Sequence, residues 1–380
     1  MNNINNAILK YDFELAKNLL KNGETWEGMQ PYMYQQAYDR IINKEAFDLL
    51  DWFVENEHIS LDIFEYDKFD YTIFGLFAKK ELTENTANYL DKLLPKIENI
   101  EEEIMEKTWL SFAIENKSSI DFLQKLIDNG CDVHWKNNSN QNLLNYTQDI
   151  ETSRFLLEQG LNINNQDAGG NTALFKAIEK RDIPLIELYL QNGAECNIQN
   201  IQNETPYQRV LFYAISPEIF DILNNYDPVR LDLKNKKNQT IFFEFSGYSQ
   251  FSSQNEIKLL EKLLEQGADL FQVEKTIYDE ETTAAKQLAR KNYNALEWIA
   301  NQEGFNPNLQ DNKGNSWLHY VCSENLNFEQ RKAQDLYKKV KLLLKVGANP
   351  EMLNDEDKSP IDYAQDDDLK AKALTLLLKQ

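Results

Sequence analysis

The chain repeats itself, and the length of the repeat limits what it can fold into. One unit reads Gly170-Asn171-Thr172-Ala173-Leu174-Phe175-Lys176-Ala177, then an apolar run from Ile183 to Leu190, then Asn192-Gly193-Ala194-Glu195-Cys196-Asn197. Thr205-Pro206 stands 33 positions after Thr172-Ala173, and Thr283 stands 33 positions before Ser316 of Gly314-Asn315-Ser316-Trp317-Leu318-His319. Thr108-Trp109-Leu110-Ser111-Phe112-Ala113 and Ser359-Pro360-Ile361-Asp362-Tyr363-Ala364 have the same form. The second half of the unit recurs as Leu126-Ile127-Asp128-Asn129-Gly130-Cys131-Asp132-Val133, and again from Leu156, Leu263 and Leu343. A unit this short cannot bury an apolar face alone, so neighbouring units must stack into one continuous core.

The local chemistry of the unit reads as helix, turn, helix. Thr172 precedes an apolar helical run and can cap it through its hydroxyl. Pro206 and Pro360 follow their caps at the first helical position, where a missing N–H costs nothing. Leu174 and Ala177 share one helix face, and the small alanine lets a second helix approach. Gly130, Gly160, Gly193, Gly267 and Gly347 each end a second helix, where a left-handed residue is needed. Turn-forming stretches such as Asp311-Asn312-Lys313-Gly314 follow.

These motifs resemble the ankyrin repeat, clearly from about residue 107 onward and in degenerate form over residues 1–106. The resemblance implies an all-α ankyrin-repeat solenoid of about ten or eleven helix-turn-helix units with short hairpin turns. Phe13 to Gly23 and Phe47 to Phe53 read as second helices of degenerate units, with another over residues 70–100. A separate helical domain over 1–106 is the other reading. Thr240 to Gly267 spans six residues more than Thr172 to Gly193, which places an insertion near residues 246–256. Ser316 to Gly347 spans ten more, which places another near residues 323–334. A closing helix is expected from Leu374.

Composition excludes several classes. The formal net charge is −22, with 62 acidic against 40 basic residues. A nucleic-acid binder draws most of its affinity from phosphate contacts to basic groups, so direct DNA or RNA binding is not expected, nor is an anionic membrane. A basic protein would be steered in. The acid is uneven: residues 1–106 hold 22 acidic and 10 basic residues, a net of −12. Three cysteines, Cys131, Cys196 and Cys322, are odd in number and far apart, which points to neither a disulfide framework nor a zinc site. No basic start with an apolar core opens the chain and no run of 18 apolar residues occurs, so a cytoplasmic protein is expected.

No catalytic constellation stands out, and no enzyme activity, cofactor or metal is expected. His58, His134 and His319 are not paired at ligand spacing. His319 stands at the histidine of the repeat motif, which by resemblance bonds between neighbouring turns. Glu101-Glu102-Glu103 and Asp366-Asp367-Asp368 read as solvated faces, and Asp355-Glu356-Asp357 lacks the pattern of a calcium loop. There is no phosphate-binding glycine motif and no nucleophile elbow.

In ankyrin repeats the contacts come from the turn residues beside the glycine and from exposed positions on the first helix. Carried onto this chain, the register picks out Asn171, Glu179, Lys180, Glu204, Phe212, Tyr213 and Tyr248 in the middle units. It picks out Asp279, Glu280, Asn312, Lys313, Glu324, Asp355 and Glu356 in the later ones. Phe212, Tyr213 and Tyr248 would cluster as aromatic anchors; a register slip of one residue would instead make them core. The expected function is non-catalytic protein binding by a chain that is monomeric when unbound. The acidic bias suggests a bacterial immunity protein that blocks a basic toxin, such as a nuclease. A scaffold or host-directed effector recruiting a cellular protein needs the same fold.

Overall fold

In the computed structural model, which describes residues 3–147, 149–276, 278–291 and 293–379, the repeats form helix pairs arranged in two compact units. The first unit runs up to Ala177 and includes Pro184–Ala194; the second is Ile178–Ile183 with the chain from Glu195 on. The division falls inside the regular repeats rather than at residue 106, where the sequence turns from degenerate to regular.

In the first unit the pairs are α1 (Asn3–Leu9) with α2 (Phe13–Lys21), α3 (Pro31–Asn43) with α4 (Phe47–Glu55), and α5 (Ile73–Ala78) with α6 (Glu84–Leu93). There follow α7 (Trp109–Glu115) with α8 (Ile120–Asp128), a 3-10 turn at Leu143–Asn145 with α9 (Ile150–Glu158), and α10 (Ala173–Lys180) with α11 (Ile183–Gln191). The second unit has α12 (Pro206–Arg209), which runs into a π-helical turn (Val210–Ala214), with α13 (Pro217–Tyr226). Next are α14 (Ile241–Tyr248) with α15 (Gln254–Glu265), α16 (Ala284–Lys291) with α17 (Tyr293–Ala300), α18 (Trp317–Cys322) with α19 (Gln330–Lys345), and α20 (Pro360–Gln365) with α21 (Ala371–Leu377). That makes eleven pairs among the described residues. A short antiparallel hairpin, β1 (Val273–Lys275) with β2 (Glu281–Thr283), precedes α16.

The caps and stops follow from residue type. Thr108 and Thr240 accept the N–H groups of Ser111 (3.2 Å) and Phe243 (3.3 Å). Thr172 departs from the expected cap. Its hydroxyl is buried without a hydrogen-bond partner among the described residues, while its carbonyl takes the Phe175 N–H at 3.1 Å. The five glycines that end second helices all have φ between 82° and 108°, a region closed to most side chains.

The core in each unit is the face where successive pairs meet. Leu174, Leu190 and Tyr189 are buried in the first unit; Leu260, Leu263, Leu318 and Leu343 are buried in the second. Ion pairs link equivalent outer helices at the rim: Lys17 of α2 with Asp48 of α4, Lys125 of α8 with Asp91 of α6, and Lys262 of α15 with Asp221 of α13. The extra residues of the two long repeats go partly into loops and partly into helix. The loop Ser249–Ser253 leads into the 12-residue α15, and the loop from Ser323 leads into the 16-residue α19.

His319 has the structural role the motif implies. It is buried, and its Nδ1 accepts the Ser316 backbone N–H (3.0 Å), which leaves Nε2 to donate to the Lys358 carbonyl (3.1 Å) in the next hairpin. Gln208 does the same service for Thr205, its side-chain oxygen taking the Thr205 N–H at 2.7 Å. Burial holds the His319 imidazole below the ordinary histidine range, against the pull of the Lys358 carbonyl. The neutral ring is therefore the folded form. Its contribution is complete above the ordinary value near about 6.5 and is lost as pH falls through the lowered one.

Two outcomes follow from this packing. Leu174→Ala should cost roughly 2–5 kcal/mol in denaturant unfolding, because Leu174 is fully buried between pairs; a loss under about 0.5 kcal/mol would mean that Leu174 is not core. His319→Gln should keep the Ser316 bond, cost about 1 kcal/mol at pH 7, and reduce the loss of stability as pH falls below about 6.5. An unchanged pH slope in urea unfolding would contradict the role given to His319.

Candidate partner-binding surface

The turn after α12 is the most irregular point of the second unit. Val210–Ala214 is π-helical, and the Ile215 N–H reaches back five residues to the Val210 carbonyl at 2.7 Å. Ile215 sits in the left-handed region (φ 47°, ψ 51°), where a β-branched side chain is strained by about 1–3 kcal/mol. Ser216 then caps α13 by accepting the Ile219 N–H at 3.2 Å. Val210, Leu211 and Ala214 still face the core. The extra residue in the turn leaves Phe212 half-buried and Tyr213 exposed.

These aromatics form an edge. The Phe212 ring meets Tyr248 edge-on at 5.3 Å and Phe245 at 6.0 Å. Tyr213 is 59% and Tyr248 69% exposed, so neither is a core residue, and the half-buried Phe212 lies against Tyr248. The Arg209 guanidinium lies 4.7 Å from the centre of the Tyr213 ring and is held by Glu179 (3.2 Å) and Glu204 (3.5 Å). Three of the residues picked from the sequence, Glu179, Glu204 and Tyr213, thus gather around one arginine that the motif register passed over.

A second row runs along the hairpin tips. The Lys236 N–H donates to the Gln202 carbonyl (3.1 Å), Gln239 donates to the Lys275 carbonyl (2.9 Å), and Glu274 accepts both the N–H and the hydroxyl of Thr240 (2.8 and 2.6 Å). Lys313 pairs with Glu281 at 3.7 Å, and the Asp355 N–H donates to the Lys313 carbonyl at 3.0 Å. A Cβ on Gly314 (φ 73°) would come within 2.9 Å of the Asn354 Cα, so glycine is needed where these two hairpins touch. Asp279, Glu280, Asn312, Lys313, Asp355 and Glu356 are all exposed on this row. Tyr278, 80% exposed beside Asp279, joins them and was not picked out from the sequence.

The remaining candidates lie elsewhere. Lys180 is exposed at the end of α10, next to Glu179. Asn171 belongs to the first unit and closes its own hairpin, its backbone exchanging bonds with Asp167 (2.9 and 3.0 Å). Glu324 corrects the expectation of an exposed contact. It is half-buried and faces Lys339 at 3.6 Å, while the wholly buried Lys339 also pairs with Asp335 (2.7 Å) and donates to the Arg290 carbonyl. Burial raises the Glu324 carboxyl despite Lys339.

Between the aromatic edge and the tips is an open cavity of about 460 Å³, lined in part by Phe243, Glu244, Tyr248, Gln287 and Arg290. Glu244 Oε2 and Gln287 Oε1 are buried there without a hydrogen-bond partner among the described residues. Burial raises the Glu244 carboxyl and lowers the nearby Arg290 and Lys291. The arrangement offers two acceptors to an incoming donor, amid helices that carry basic as well as acidic groups. Acid dominates the tips, not this groove.

No group of three or more His, Cys, Asp or Glu among the described residues could hold a metal, and no described helix is long and apolar enough to cross a membrane. Cys131, Cys196 and Cys322 are buried, and burial pushes each thiol up to about 12. None of them is a thiolate at neutral pH.

No curated protein matches the chain. Among solved structures it is similar to the ankyrin repeat domain of Bcl-3, described as a unique member of the IkappaB protein family, at 16% identity. That similarity covers 72% of this chain and 99% of the other, with a TM-score of 0.43, too low to speak to function. Residues 110–200 match the family model of ankyrin repeats in three copies. The chain is a mostly helical array of repeated helix pairs, and its residues 110–200 match the ankyrin-repeat model.

Proposed function

We propose that the chain is an immunity protein that binds and blocks a basic toxin, a nuclease fitting the charge best. The observation that carries this reading is the pairing of an exposed aromatic edge with an acidic row of tips in the second unit. Tyrosine is favoured at the energetic centre of interfaces because it brings large contact area with few torsions to freeze. The tips present Asp279, Glu280, Asp355 and Glu356, and the whole chain carries −22. Such a surface steers a basic protein on approach and can occupy the place of phosphates in a nucleic-acid cleft.

The strained turn at Ile215 supports the same reading. Strain of that size persists only where surrounding contacts hold it, and it gathers at functional sites. The tips are bonded to one another, which keeps the acid row preorganised and lowers the cost of binding.

The reading is tested with the product of the adjacent open reading frame, expressed with and without this chain. Growth arrest that this chain relieves is expected; a harmless neighbour, or toxicity that it does not relieve, would remove the immunity role. Tyr213→Ala and Tyr248→Ala should each weaken the complex by about 2 kcal/mol while changing stability by less than about 0.5 kcal/mol. Association should slow as salt rises, and a salt-independent rate would refute acidic steering.

A further inference from the structure

The first unit holds an open cavity of about 500 Å³ with aromatic walls. Trp26, from the loop after α2, stands edge-on to Tyr34 (5.1 Å) and Tyr38 (5.5 Å) of α3, and its indole stacks on Phe53 at 4.2 Å. Tyr66 and Tyr71, from the segment before α5, line the same space. The Tyr34 hydroxyl donates to the Trp26 carbonyl (3.1 Å) and that of Tyr66 to the Ser60 carbonyl (2.8 Å), which pins the rings in place. Burial pushes the Tyr66 phenol up to about 12 and raises that of Tyr38 as well, so these walls are neutral rings.

Charge at the cavity is one-sided. Glu27, Glu57 and Asp67 line it, all exposed, against one lysine, Lys68, and the half-buried His58. Its Nζ lies 4.1 Å from the centre of the Tyr71 ring, an ammonium already seated on an aromatic face. The indole Nε1–H of Trp26, a residue 1% exposed, has no acceptor among the described residues. A ligand that satisfies the site must bring a cation for the rings and carboxylates and an acceptor for the indole.

We propose that this cavity receives an arginine side chain of a protein partner. The guanidinium stacks on the tyrosine walls against the three carboxylates, and the carbonyl of the same residue accepts from Trp26. Arginine fits better than lysine because its flat, weakly hydrated cation stacks on rings. Lys68 is then an internal competitor for Tyr71. The site lies wholly in the first unit and does not rest on the role given to the second.

The test uses the full chain and Nα-acetyl-L-arginine methylamide, with binding followed by saturation-transfer NMR and by the indole resonance absent from Trp26→Phe. Saturable millimolar binding is expected, with Nα-acetyl-L-citrulline methylamide, equal in shape but uncharged, weaker by about tenfold. Glu57→Gln should weaken binding, and Lys68→Ala should tighten it by about twofold or more by uncovering Tyr71. Both replace exposed side chains, so they carry the test through the probe's own signal even if Trp26→Phe fails to fold. Equal binding of the citrulline compound, no saturable binding, or weaker binding by Lys68→Ala would overturn the proposal.

Discussion

An isolated helix pair of this chain leaves an apolar face in water, and everything else in the structure follows from covering that face with the next pair. Leu174 in the first unit and Leu318 in the second are wholly buried only because a neighbour lies against them. Stability is therefore shared between adjacent repeats rather than gathered at one centre. The same requirement holds over residues 1–106, where the motif is weak but Ile41, Leu50, Leu90 and Leu93 are buried in paired helices.

Polar bonds between hairpins do a different job: they set register. His319 joins Ser316 to Lys358, Glu274 holds Thr240, and Gly314 lets the next hairpin come into contact. Each bond adds little net stability, but a buried partner left unpaired costs more. The repeats thus hold one spacing, and the exposed residues on the tips inherit it. Acid at the tips is consequently arranged, while the groove beside it is mixed, lined by Glu244 together with Lys237, Arg290 and Lys291.

Where the sequence was legible, one local rule decided the outcome. Glycine after a second helix must be left-handed, and all five are. His319 stood in the repeat motif and has the bonds that the motif implies. Tyr213 and Tyr248 could be read from the unit as surface or, with a register one residue off, as core, and they are exposed. Local rules misled where two neighbours compete. Thr172 has a capping side chain that caps nothing, and Glu324 sits at a contact position but turns inward to Lys339, which also donates to the carbonyl of Arg290, forty-nine residues earlier in the chain. Arg209 and Tyr278 carry no motif signal, and the cavity around Trp26 draws its walls from segments with no common pattern.

The sequence by itself determined the repeat, the helix ends and the apolar faces, because each depends on residues within one turn or one period. It also determined the excess of acid. Tertiary structure alone decided which charges are paired, which rings share an edge and which polar atoms are left without partners. Those outcomes depend on side chains about one repeat or more apart in the chain, and their distance is set only when the helix pairs have stacked.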